Sequence, residues 1–206
     1  MQSQFAVFEK YLPPKASRYC FDLWVKHGFT LKVVKGRSTK LGDFRFNKGK
    51  KPIITVNQDL NPYAFTVTYL HEVAHLQAFE KYGRRIAPHG AEWKNTFKEV
   101  LFPMVEAGAF PDELGLKLRR HLANPKAASC SDPALMMALS KYDIHKSGIL
   151  LAELVIGEEF LLESRHFKKE GKKRTRSICL EMKTGRKYLI SEVARVERIA
   201  IDREKA

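Results

Sequence analysis

The sequence predicts an α+β fold, with a small antiparallel sheet, a set of helices, and a small β-rich module at the C-terminal end. Three observations predict it. Short runs rich in β-branched and aromatic residues cluster between residues 29 and 57, helix-length patterns fill the chain from residue 62 to about 122, and strand-like runs return after residue 148. Strands and helices grouped in blocks, rather than alternating one for one, are the mark of this class.

The elements follow in order. Pro13-Pro14 breaks off a shorter opening segment, and Ala16, Tyr19, Cys20, Leu23 and Trp24 then recur at helical spacing. Next come "FTLKVV", "LGDFRF" and "PIITVN", divided by glycine and lysine clusters and read as three consecutive antiparallel strands. Asn61-Pro62 is a strong helix start, asparagine capping and proline preset at the first helical position, with Gly83 as the next breaker. A further helix is expected from Ala91 to about Leu101, and another in "DELGLKLRRHLA" after Pro111, while "NPKAASCSDPAL" reads as a linker. After "HKSG" the strand-like runs are "LAELVIGEEFLLES", "RSICLEM" and "KYLISEVARV". The chain divides accordingly into a domain over 1–125, a linker with a short helix over 126–148, and a basic β-rich module over 149–206.

With 206 residues, 44% of them hydrophobic, the chain can build a core for one domain and a small appendage. No apolar run approaches the ~18 residues that span a bilayer, and the opening "MQSQFAVFEK" lacks the order of a secretory signal, so a cytoplasmic protein without a membrane partner is expected. Cys20, Cys130 and Cys179 are odd in number and far apart, which argues against a disulfide framework and against paired-cysteine zinc knuckles. The net charge of +14 favours polyanionic partners.

The chemistry concentrates in "TYLHEVAHLQAF", Thr68 to Phe79. Residues four apart share one helical face, so His71 and His75 can direct both imidazoles at one ion, and Glu72 lies beside them: this is the HExxH arrangement. Zinc suits two neutral imidazoles, and a catalytic zinc keeps one position for water, whose pKa it lowers to roughly 7. Glu72 would take that water's proton and deliver it to a leaving amine, which is peptide hydrolysis. A third ligand is needed. His89 in "RRIAPHGAEW" is the best candidate, placed after a loop and before a new helix. Glu92 is its rival, at a position where an acid also caps a helix N-terminus. His121 and His145 are read as surface or packing residues, and His27 and His166 have no assigned place.

Together "STKLGDFRF", "PIITVN", "TYLHEVAHLQAF" and "APHGAEWKNTF" resemble the SprT-like zinc metalloproteases, which include bacterial SprT proteins and the protease domain of eukaryotic Spartan. The resemblance covers about Thr30 to Leu101. It implies that His71, His75 and His89 hold one zinc, that Glu72 is the catalytic glutamate, and that a small sheet lies beside the active-site helix. It also implies hydrolysis of peptide bonds in protein substrates; Spartan-like members degrade proteins crosslinked to DNA, but the resemblance carries over the reaction class and not that substrate. The chain departs from the bacterial members in having no paired-cysteine zinc ribbon, and the run from Leu150 onward is read as a metal-free equivalent held by apolar packing.

In "RHFKKEGKKRTRSICLEMKTGRK" basic residues far outnumber acids, and Lys168, Lys169, Lys172, Lys173, Arg174 and Arg176 are the candidate contacts to a nucleic-acid backbone. The competing reading of the whole chain is a nucleic-acid-binding or regulatory protein whose zinc site is structural or inactive. Retention of Glu72 favours the enzyme, because a structural site has no need of a carboxylate beside a water.

Overall fold

The computed structural model describes residues 2–37, 40–123, 125, 132–143 and 147–199. The chain separates into two compact units, one of Met1–Ser129 with Ala138–Asp143 and one of Cys130–Met137 with Ile144–Ala206. Helices and strands are both well represented and the class is α+β. No helix among the described residues is long and apolar enough to cross a membrane.

The first unit opens with helices α1 (Gln2–Tyr11) and α2 (Pro14–His27), which meet edge to face through Phe5, Phe8 and Phe21. Strands β1 (Thr30–Val34), β2 (Gly42–Arg45) and β3 (Ile53–Asn57) follow. Their order is β1-β3-β2, with β1 parallel to β3 and only the β2–β3 pair antiparallel. The expected run of three antiparallel strands is therefore corrected at β1. The physical reason lies in the link after β1. Val34 pairs with Asn57, and Asn57 N–H donates to the Leu41 carbonyl (2.9 Å), so the chain passes over the end of β3 and descends on its other edge. Side-chain alternation is the same in either direction and cannot reveal that crossing.

Helix α3 (Pro62–Tyr82) begins where Asn61-Pro62 predicts. Asn61 Oδ1 accepts from Tyr63 N (3.1 Å) and Ala64 N (2.9 Å), a cap that contributes about 1 kcal/mol, and Asn61 Nδ2 donates to the Leu139 carbonyl and to Asp143. From Ala64 to Ala74 every side chain of α3 is buried, which explains why this helix has no polar stripe: other elements cover it on all sides. Tyr69 anchors it to α2 by donating to the Cys20 carbonyl (2.8 Å). A 3₁₀ turn (Gly83–Arg85), α4 (Ala91–Glu106) and α5 (Asp112–Ala123) follow, and α6 (Pro133–Ser140) extends from the stretch read as linker. Cys130 and His145 lie outside the described residues.

The second unit is a six-stranded antiparallel sheet, ordered β4-β9-β5-β6-β7-β8, from β4 (Ile149–Leu150), β5 (Glu159–Leu162), β6 (Arg165–Lys173), β7 (Arg176–Glu181), β8 (Lys187–Ser191) and β9 (Arg195–Arg198). Its core is apolar: Leu151, Leu154, Phe160, Phe167, Cys179 and Val196, with Phe160 stacked on Phe167 at 5.6 Å. Val155 and Ile156 do not join that core, being 66% and 64% exposed, so the apolar run "LVI" is only partly used for packing. A polar element adds to it. Lys169 Nζ donates to the Leu151 and Leu154 carbonyls and lies 3.4 Å from Glu192, which also bonds Ser177 and Lys172.

Candidate metal centre

Helix α3 and one turn of chain after it assemble the site. His71 and His75, one helical turn apart, bring their Nε2 atoms within 3.2 Å of each other. His89 Nε2 closes the triangle at 3.0 Å from His75 and 3.3 Å from His71. Ala87-Pro88-His89-Gly90 makes this return possible, because Gly90 N–H donates to the Ala87 carbonyl (2.9 Å) and closes a tight turn. Pro88 supplies the second position, and His89, at φ 60°, occupies the third, where a type II turn demands a left-handed residue. Gly90 then caps α4. Glu92 falls in the first turn of α4 and is not part of the histidine group.

Trp93 backs the triangle, its ring centroid 4.6 Å from those of His71 and His89 and 5.2 Å from that of His75, and it stacks on Phe97. His71 Nδ1 and Trp93 Nε1 are buried with no hydrogen-bond partner among the described residues. Packing against Trp93 and Phe97, rather than an outer hydrogen bond, therefore orients the His71 ring.

Burial and the neighbouring imidazoles hold His71 well below its ordinary range, push His75 down to about 4, and burial also lowers His89. All three rings are neutral at neutral pH, with lone pairs to offer. Three converging imidazole nitrogens in a partly buried setting could hold one metal ion.

Glu72 is 7% exposed and lies between α3 and β2. Burial, reinforced by Asp43, pushes its carboxyl up to about 8, against the pull of Arg37, Lys40 and a backbone hydrogen bond from Phe44. Gly42 is the residue that lets β2 come so close. A Cβ built there would stand 2.7 Å from Glu72 Oε1 and 2.7 Å from Thr68 Cγ2, inside any tolerable contact. Sequence reasoning missed Gly42, although a glycine inside the strand-like run "LGDFRF" is the usual signal of close backbone approach. Gly42→Ala should cost about 1–3 kcal/mol of stability by forcing β2 off α3. Urea unfolding measures it, and an unchanged midpoint would contradict the close approach.

Among the described residues, the other histidines are not part of the triangle. His27 pairs with Glu80 (2.7 Å), His166 pairs with Glu159 (2.8 Å), and His121 is buried beside Phe97. Of the basic residues put forward as backbone contacts, Lys169 is corrected: it is 4% exposed and its ammonium is taken up by two carbonyls and Glu192, so no phosphate can reach it. Lys172 is exposed but pairs with Glu192 at 2.8 Å. Lys168 is half-buried on β6, whereas Lys173, Arg174 and Arg176 are exposed around the β6–β7 turn.

Protein-family models, curated proteins and solved structures were compared with the chain, and none matches.

Proposed function

We propose that the chain is a zinc-dependent metallopeptidase of the SprT-like kind, hydrolysing peptide bonds of protein substrates. The observation that carries this reading is the histidine triangle of 3.0–3.3 Å edges with a buried carboxylate on the residue after His71. Those edges fit the metal: with zinc–nitrogen bonds of 2.0–2.1 Å, two ligands of a tetrahedron stand about 3.3 Å apart. Three protein ligands leave the fourth position for water or substrate, as in catalytic zinc sites.

When bound, zinc supplies Lewis-acid polarisation of the scissile carbonyl and makes water acidic enough to react near neutrality. His71, His75 and His89 hold it as neutral ligands. Glu72 accepts the proton of the attacking water at its carboxylate, then returns that proton to the amine as the carbon–nitrogen bond breaks. Burial raises this carboxyl to about 8 in the metal-free protein, and a bound divalent cation would favour the carboxylate form that accepts the proton. Gly42 and the Phe44 backbone keep its oxygens in place.

The test is cleavage of an unfolded protein such as casein by the purified full chain, with and without a zinc chelator. Loss of cleavage on chelation and its return with added zinc are expected. Absence of cleavage by zinc-loaded protein, with or without DNA, overturns the reading.

A second reading, nucleic-acid contact by the β-rich unit, has its own support. Lys173, Arg174 and Arg176 form an exposed cationic hairpin end with no acidic partner among the described residues, in a chain of net charge +14. Such cations bind phosphates, so changing these three residues to glutamine should weaken duplex DNA binding without sequence preference. The slope of log affinity against log salt should fall by about 0.9 for each phosphate no longer neutralised. Binding titrations at several salt concentrations measure both, and an unchanged slope would rule the hairpin out.

A further inference from the structure

We infer that the turn at Val155-Ile156 is an apolar wedge that enters a base step of duplex DNA while the cations at the end of the β6–β7 hairpin hold its phosphates. The inference rests on the nucleic-acid reading of that hairpin and adds to it two residues that carry no charge.

Val155 and Ile156 are 66% and 64% exposed, more than any other large hydrophobic residue among those described. Leu151 and Leu154 of the same run turn inward and build the core of the β-rich unit, and the next two side chains are left outside it. Their position is fixed. Glu158 N–H donates to the Val155 carbonyl (3.2 Å), which closes a tight turn with Ile156 second and Gly157, at φ 96°, third. Val155 N–H donates to Glu158 Oε2 (2.8 Å), Gly157 N–H donates to the Lys169 carbonyl (2.7 Å), and Lys169 N–H donates to the Glu158 carbonyl (2.9 Å). The Leu154 carbonyl accepts from the buried Lys169 ammonium (2.8 Å). Polar residues, glycine and proline serve such exposed turns best, whereas two adjacent β-branched aliphatics gain nothing there from packing within the chain. A braced backbone thus holds two aliphatic side chains out to solvent.

The same end of the sheet carries the cations. Thr175, in the β6–β7 turn, accepts from Glu192 N–H (3.0 Å), and the Glu192 carbonyl accepts from Ala152 N–H (2.8 Å), which joins that turn to the segment leading into Val155. Along β6, Lys169 and Lys173 are four residues apart, about 13 Å, the length of about four base steps. The acids nearest the wedge are already bonded: Glu153 accepts from Leu150 N–H, Glu158 from Val155 N–H with Arg198 at 3.5 Å, and Glu192 from Ser177 with Lys169 and Lys172 beside it. Lys173, Arg174 and Arg176 are exposed and have no acidic partner among the described residues. Their charge calls for a polyanion, and the apolar pair narrows which one. Phosphate or sulfate groups alone offer an aliphatic side chain nothing. A lipid surface would, but valine and isoleucine together have about half the carbons of a myristoyl chain, which by itself gives only marginal membrane binding. One or two aliphatic side chains do suffice to open a base step of duplex DNA, where the loss of stacking is offset by the added contact.

The experiment is titration of the full chain, at several salt concentrations, with a short duplex carrying 2-aminopurine at a central TA step, the kind most easily unstacked. Heparin and vesicles of phosphatidylserine and phosphatidylcholine are titrated in parallel. Wild-type protein should raise the 2-aminopurine fluorescence on binding. The double variant Val155→Ser, Ile156→Ser should abolish that rise and bind the duplex about 10-fold more weakly, with the salt slope and heparin affinity unchanged, because no phosphate contact is lost. Val155→Leu, Ile156→Leu, which keeps two aliphatic side chains, should restore both signals and serves as the control for folding. Unaltered fluorescence and affinity in the serine variant overturn the inference and leave the nucleic-acid reading standing. A loss shared equally by duplex and heparin overturns it too, as does a variant that loses vesicle binding alone, which would assign the turn to a membrane surface. Absence of duplex binding by wild-type protein removes the nucleic-acid reading and the wedge together.

Discussion

Glu72→Gln retains the fold and the metal and loses peptide hydrolysis by a factor on the order of 10² or more. Glutamine matches the shape of glutamate and its amide oxygen can still accept the Phe44 hydrogen bond, so β2 remains seated on α3. What it cannot do is take a proton from water. The metal-free variant also has a distinct pH signature. With its folded-state carboxyl raised from 4.5 to about 8, wild-type Glu72 binds more protons folded than unfolded between those values. Its contribution to stability is therefore fully present below about 4.5 and is lost as pH rises toward about 8. The three histidines work in the opposite sense below 6.5, so the clean comparison is wild type against Glu72→Gln between pH 6.5 and 8. Wild type should lose stability across that range and the variant should not. Equal cleavage by the two proteins would remove Glu72 from the mechanism, whatever the stability curves show.

His89→Ala should cost more metal affinity than the 10–100-fold that loss of an outer-shell partner brings, because it deletes one side of the triangle. Wild-type protein is expected to carry about one zinc per chain by elemental analysis. His89→Gly is the informative companion. His89 holds φ at 60°, a region costing a side-chain-bearing residue about 1–2 kcal/mol, so glycine should recover part of that in the metal-free protein while losing zinc just as alanine does. A metal site that survives either change would require a different third ligand. Glu92 is the first to test, since it lies in the helical turn directly after His89.

Much of the site was legible because it is local. Four-residue spacing on a helix places His71 and His75 together whatever the rest of the chain does, and Asn61-Pro62 starts that helix through contacts made within its own first turn. The basic module was legible as composition. Its members were not separable, since Lys168, Lys169 and Lys172 read alike in the sequence. One proved half-buried, one is enclosed by carbonyls and Glu192, and one is exposed but paired.

The sequence by itself determined the helix that carries the histidine pair and Glu72, the strand-like character of the runs before it, and the choice of His89 and Glu92 as the two candidates for a third ligand. Tertiary structure alone brought His89 rather than Glu92 to the histidine pair, set β1 parallel to β3, brought Gly42 onto Glu72, and tied Arg37 to Asn57 across twenty residues of chain. The physical reason is range. Helix periodicity and capping are set by neighbours within about one turn, whereas strand order, close backbone approach and the pairing of a charge depend on residues that meet only when the chain has closed on itself.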